Sequence, residues 1–146
     1  MKLTIDASVW VSAFVSGDVH HAESDRLLEV CLAARAKIIV PEIVLLEVAA
    51  AVARIQQDAG QGQVAAKKVE RFPGIRFRPL QMAFLNKSIL LATRHSLRAA
   101  DALYLATARE ARAALITLDD EMLRRGSPAA TVFTPSQWLG RMAVKG

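Results

Sequence analysis

Four acidic residues stand where a folding chain ordinarily avoids them: Asp6, Glu47, Asp101 and Asp119. Asp6 closes the apolar run LTI and Asp119 closes LITL. Glu47 lies within PEIVLLEVAAAVAR, where its helical neighbours three and four residues away are Ile43, Val44, Ala50 and Ala51, all apolar. Asp101 belongs to SLRAADALYLATARE, a segment rich enough in Ala and Leu to require a buried helix. A carboxylate in such a stripe must be paired, protonated or bound to something remote in sequence. If the four converge, each pair at ~4 Å repels by ~4 kcal/mol at an effective dielectric of ~20. Such a cluster stays ionised only around cations, and all-oxygen ligation selects hard, octahedral ions, Mg2+ or Mn2+, over zinc. The chemistry that suits it is phosphodiester hydrolysis: polarising a phosphate oxygen, helping to generate hydroxide and stabilising the leaving oxygen.

Each acid also has a simpler explanation. Asp6 or Asp119 could cap a helix, a role Asp performs well without any further function. Asp101 could pair with Arg98 in the first turn of its helix, where the dipole also favours an acid. Glu47 has no local cation, so its ordinary explanation is a partner brought by the fold, such as a distant arginine. The spacings of 41, 54 and 18 residues put the four acids on separate elements.

The elements that must position them alternate. LTID reads as a short strand and ASVWVSAF as the helix after it; His21 to Arg35 carries apolar residues at helical spacing through Leu27, Leu28, Cys31 and Leu32. KIIVP is a β-branched strand, with Pro41 suited to the first turn of the helix holding Glu47. AGQGQ, from Ala59 to Gln63, reads as a break, and Val64 to Arg71 as a short basic helix stopped by Pro73-Gly74. IRFRPL is a third strand, followed by helices over Gln81 to Arg94 and Leu97 to Arg112, the strand ALITLDD, a short helix closed by Gly126, the strand TVF and the helix PSQWLGRM. Strands separated by helices predict a three-layer α/β/α sandwich with a mainly parallel sheet of four to five strands. In such sheets ligands gather beyond the carboxyl ends of the strands, where Asp6 and Asp119 fall.

Length and composition bound the reading. At 146 residues and 53% apolar content the chain is expected to be one domain, residues 1–146, with an aliphatic core. One cysteine, Cys31, excludes an internal disulfide and a cysteine-based zinc site, which favours a reducing cytoplasm. Asp6 interrupts the apolar N-terminal stretch before a signal sequence can develop, and no window reaches the 18 or so residues of a membrane span. The net charge of +5 becomes an excess of nine bases once the four acids are set aside, ten acids then facing 19 bases. Lys67, Lys68, Arg71, Arg76 and Arg78 form one basic cluster and Arg124, Arg125, Arg141 and Lys145 another; either could hold a phosphate backbone, although charge runs are usually solvated faces.

Other features carry less. His20, His21 and His95 lack metal-ligand spacing with one another. Gly60 to Ala65 formally matches GxGxxA, but follows a helix rather than a strand and so lacks the scaffold that brings backbone to pyrophosphate. Trp10 and Phe14 read as core or dimer-interface residues, and Trp138 in the terminal helix reads likewise, with the interface favoured because chain-terminal helices are often exposed.

TIDASVW, PEIVLLEVAAAVAR, RAADALYLATA and LITLDDEM together resemble the four acidic motifs of the PIN-domain nucleases, in particular the VapC-type toxins of toxin–antitoxin pairs. The likeness covers essentially the whole chain. It implies a PIN-like fold, a dimeric Mg2+- or Mn2+-dependent endoribonuclease, and a small antitoxin that occupies the active-site groove. Asp6, Glu47, Asp101 and Asp119 match the family's catalytic quartet, with Asp6, Asp101 and Asp119 on the metal. Ser8 and Thr117 match small polar positions beside the first and last acids and are expected to contact substrate. Asp119 is followed by Asp120, and the spacing in LITLD favours Asp119 as the one facing the site.

Two rivals remain. A receiver-type signalling domain would want paired acids after the first strand and a lysine after the last, whereas the Asp-Asp pair here comes late and TVFTPSQ has no lysine. A PIN-like module that binds nucleic acid or protein without cutting would keep the fold and lose the geometry.

Overall fold

The computed structural model describes residues 1–145, with side chains through Val144. Its strands are β1 (Lys2–Ile5), β2 (Lys37–Pro41), β3 (Ile75–Arg78), β4 (Ala114–Ile116) and β5 (Val132–Phe133). Its helices are α1 (Ala7–Phe14), α2 (His21–Ala33), α3 (Ile43–Gln56), α4 (Ala59–Glu70), α5 (Met82–His95), α6 (Ala99–Ala111), α7 (Asp120–Gly126) and α8 (Pro135–Lys145). The strands form one sheet in the order β3-β2-β1-β4-β5, and every pairing is parallel. The sheet therefore sits at the upper end of the expected strand count and is wholly rather than mainly parallel.

Parallel strands need helical crossovers, and helices on both faces bury successive side chains regardless of the direction in which they point. β1 shows this: Leu3, Thr4 and Ile5 are all buried. The register aligns Leu3 with Ile38 on one side and Ala114 on the other, and Ile5 with Ile116. One face is covered by α6, which packs across β1, β2 and β4 and is itself covered by α5. Its residues from Asp101 to Ala108 are buried without interruption. Small Ala side chains let this helix lie close to the sheet and to α5 together. Helices α1, α2, α3 and α4 form a second packed group, closed by Trp10, whose indole donates to the Ile5 carbonyl and meets Phe72 edge-on at 5.1 Å.

The chain runs outward from β1 through β2 to β3, then returns to β1's other side for β4 and β5. This reversal puts the topological switch between β1 and β4, and their carboxyl ends open on a crevice.

Two expectations are corrected. The AGQGQ stretch is the first turn of α4, which starts at Ala59 rather than Val64. Asp58 caps it by accepting from the Gln61 backbone N–H at 3.1 Å, and Gly62 is there for packing: a Cβ at this position would lie 2.4 Å from the Ala49 carbonyl of α3. The true break is Gln57, in the left-handed region at φ 51°. Trp138, for which the sequence favours an interface over the core, takes the core alternative, because α8 packs on α2 and β5.

Candidate active site

Asp6 follows the last residue of β1 directly; its backbone N–H donates to the Ile116 carbonyl at 2.9 Å, carrying the β1–β4 ladder one step beyond the strands. It occupies the N-cap position of α1, yet its side chain makes no capping bond. The Ser8 and Thr117 hydroxyls instead donate to its Oδ2 at 2.7 and 2.8 Å. Those hydroxyls are themselves anchored, since the Leu118 N–H donates to Ser8 Oγ and the Asp119 N–H to Thr117 Oγ1. Asp6 is buried, and Thr117 wholly so. Burial pushes the Asp6 carboxyl above its ordinary range; the two hydroxyls pull the other way, and the charge of Asp101 adds to the rise.

Glu47 finds its partner on the opposite element. The Tyr104 hydroxyl of α6 donates to Glu47 Oε1 at 2.7 Å, so the partner brought by the fold is a phenol and not an arginine. Burial is also the main reason that Glu47 lies above its usual value; Tyr104 opposes the rise, and the charges of Asp6 and Asp101 add to it. Tyr104 is fully buried and held well above its ordinary value by burial, then by Asp6 and Glu47, which keeps its proton available as a donor. Asp101, buried in the first turn of α6, is raised by burial and next by the charge of Asp119, with Arg98 pulling it down. The four acids thus share one electrostatic neighbourhood: the charge of Asp101 raises Asp6, those of Asp6 and Asp101 raise Glu47, and that of Asp119 raises Asp101.

Asp119 is a helix cap as well. It accepts from the Met122 N–H at 3.1 Å through Oδ1, while Oδ2 meets Arg98. Asp120, its neighbour, is exposed as the first residue of α7. Arg98 donates to Asp101 Oδ2 at 3.2 Å, contacts Asp119, and lies 3.7 Å from Glu121. The Arg98–Asp101 pair foreseen from spacing therefore exists, but it is one arm of a larger bridge.

Among the described residues, no three acidic, histidine or cysteine side chains lie close enough in this arrangement to hold one ion. The donor chemistry nonetheless fits a hard divalent cation: every candidate ligand is a carboxylate, and among the described residues neither Asp6 nor Glu47 forms an ion pair. A cleft of about 520 Å³ opens beside these acids, lined by Ser8, Glu47, Leu118, His20 and Arg54. His20 is turned to Glu23 at 2.8 Å and His21 to the Ser12 carbonyl at 3.0 Å, so neither approaches the acids as a ligand.

The basic clusters are partly committed elsewhere. Lys67 pairs with Glu70, Arg78 with Glu110, and Lys68 and Arg78 lie over Phe14 and Phe84. In the second cluster Arg125 reaches Glu121 and the Ser96 carbonyl, and Arg141 lies over Phe133; the Lys145 side chain falls outside the described residues. Spacing alone did not single out Tyr104, Arg98 or Glu121 as members of the site. Tyr104 had a signal, one turn beyond Asp101 on the same helix face; Glu121 had none, because it meets Arg98 and Asp101 only once α6 and α7 are brought together by the fold.

The sequence matches the family described as PIN domain over residues 3–127. No curated protein matches it. Among solved structures, VapBC2 from Rickettsia felis, bound to a DNA fragment from its promoter, is similar with a TM-score of 0.69 at 17% identity, over 92% of this chain and 98% of that one. VapC20 from Mycobacterium tuberculosis, a toxin that cleaves the sarcin–ricin loop, gives 0.68 at 18% identity, over 84% and 94%. A toxin–antitoxin complex from Klebsiella pneumoniae gives 0.61 at 23%, over 91% and 97%. At these identities the structural likeness establishes the fold.

Proposed function

From the premise that this chain belongs to the PIN domain family, we propose that it is a Mg2+- or Mn2+-dependent endoribonuclease and the toxin of a toxin–antitoxin pair. The observation that carries this reading is Asp6: a buried, hydroxyl-held carboxylate at the switch of a parallel sheet, within electrostatic reach of Glu47 and Asp101. Removing a carboxylate from water without a cation is unfavourable by several kcal/mol, and a structure retains such a group where a ligand compensates it.

Asp6, Asp101 and Asp119 would hold the ion. When bound it supplies Lewis-acid stabilisation of charge on the scissile phosphate and its leaving oxygen. Ser8 and Thr117, expected to contact substrate, would also position Asp6, since both hydroxyls are directed at its Oδ2. Tyr104 fixes Glu47 through Oε1, so that Oε2 is the atom to accept a proton from the attacking water. The raised pKa of Glu47 suits that base, bringing its proton affinity closer to neutral pH. Arg54 and His20 in the adjoining cleft place cationic or polar groups where an RNA backbone would pass.

The relatives described as toxin–antitoxin complexes support an antitoxin as partner, and homodimerisation belongs to the same proposal. Among the described residues no helix is long and apolar enough to cross a membrane; a cytoplasmic site of action is part of the proposal.

The test is cleavage of total RNA with Mg2+ or Mn2+, with chelator, and by Asp101→Asn. Discrete products that vanish with chelator and in the variant are expected. Cleavage indifferent to both removes the metal mechanism, and no cleavage of any RNA favours a binding module that keeps the fold.

A further inference from the structure

Arg98 is in an unfavourable place for an arginine. It is the N-cap of α6, a position that calls for a side-chain acceptor such as Ser, Thr, Asp or Asn, and it makes no capping bond. Its positive charge also faces the positive end of the helix dipole. What holds the guanidinium there is outside the helix backbone: Asp101 Oδ2 at 3.2 Å, Asp119, and Glu121 at 3.7 Å. These acids come from the start of α6 and the start of α7, and the arginine fork is the cation that joins them.

The exposures are unequal. The Arg98 side chain is 65% exposed, whereas that of Asp101 is 12% and that of Asp119 25%. Arg98 can withdraw into water with little loss, but the carboxylates cannot follow it. A solvent-exposed cation therefore rests on two of the three carboxylates assigned above to a divalent ion.

We propose that Arg98 is a resident counter-ion that competes with the divalent cation for Asp101 and Asp119 and so lowers the chain's affinity for that cation. The proposal rests on the reading that these acids hold an ion. Arg98 is a positioning residue: it keeps the acidic arms together in the absence of the ion and must be displaced from them when the ion enters. Exposed ion pairs are individually weak, so the expected effect is modest, and its sign is the diagnostic part. A residue that merely supported the fold would weaken ion binding when removed, or leave it unchanged; a competitor strengthens it.

The experiment is Mn2+ binding to the full chain without RNA, by calorimetry or by the electron paramagnetic resonance of free Mn2+. Arg98→Gln should bind on the order of fivefold more tightly than wild type, with Arg98→Lys between the two because it keeps the charge but loses the planar fork. Its melting temperature should fall in chelator and rise further than wild type's on adding Mn2+. In wild type, Mg2+ should shift the Arg98 Nε–H resonance with the same saturation as binding. Asp101→Asn and Asp6→Asn test the underlying reading separately, and each should weaken Mn2+ binding at least tenfold. If both do so while Arg98→Gln binds no tighter than wild type, competition is wrong and the ion site stands. If neither weakens binding, the ion site is wrong and the proposal falls with it. Should Arg98→Gln not fold, the Arg98→Lys affinity and the Nε–H titration still decide: unchanged affinity with an unmoved resonance overturns competition.

Discussion

Asp6 and Asp119 enter the chain in the same way, each following an apolar strand and preceding a helix, yet they become different objects. Asp119 caps its helix through Oδ1 and meets an exposed arginine through Oδ2. Asp6 caps nothing, is buried, and has two anchored hydroxyls on a single oxygen. The difference follows from topology. β1 is the central strand, flanked by β2 and β4, so its end is walled by neighbours, whereas β4 adjoins only two-residue β5 on its outer side. A strand-end aspartate is a cap where solvent can reach it and an unresolved charge where it cannot. On the proposed reading the Asp6 corner is left for a bound ion to compensate, whereas the Asp119 corner is already paired with Arg98.

The largest contrast should appear in cleavage. Asp6→Asn should lower the rate by roughly 10³-fold, since an ion's contribution of several kcal/mol depends on its buried ligand. Asp119→Asn should lower it by roughly 10–100-fold, because asparagine caps as well as aspartate and leaves Asp6 and Asp101 in place. Equal losses would erase the distinction between the two corners. Stability should move the other way at Asp6: with chelator present, Asp6→Asn should melt no lower than wild type, because the amide can still accept from Ser8 and Thr117 while no buried charge remains.

A pH dependence follows with a definite sign. Asp6, Glu47 and Asp101 are all raised above their unfolded values, so the folded chain binds more protons than the unfolded chain over that interval. Their contribution is fully present below the ordinary carboxylate range and is lost as pH rises through the raised values. Denaturant titrations in chelator should therefore show stability falling from about pH 4 upward on this account, and Mn2+ should flatten the fall. Asp6→Asn should reduce the slope, and an unchanged slope would mean that the buried corner is not its source.

The smallest effect belongs to Tyr104→Phe. Losing the hydroxyl removes a bond to a carboxylate, about 1.5–3 kcal/mol, and removes the influence that lowers Glu47. The Glu47 titration followed by carboxyl-carbon NMR should shift upward; a downward shift would contradict the assigned role of the phenol.

How much of this was legible before the fold was known depends on what kind of signal each feature leaves. Alternation of strands and helices, and acids out of place in apolar runs, are local patterns, and they located the parallel sheet and the four carboxylates. Helix ends were harder to read. α3, α5 and α6 end on Gln57, Ser96 and Arg112, all in the left-handed region without being glycine, while Gly60 and Gly62 lie inside α4. Glycine usually marks a helix end; here Gly62 marks a helix crossing too close for a Cβ. The hydroxyl of Tyr104 on Glu47 spans 57 residues and that of Thr117 on Asp6 spans 111. Contacts of that range arise only when the sheet order is set, and no periodicity encodes them.

The central claim concerns where a divalent ion goes, and crystals grown with Mn2+ measure this through anomalous scattering. The account predicts a peak within coordination distance of Asp6 and Asp101, with Arg98 displaced from Asp101. Density for Mn2+ that avoids Asp6, or an Asp6 carboxylate surrounded by nothing but protein hydroxyls at saturating Mn2+, would contradict it.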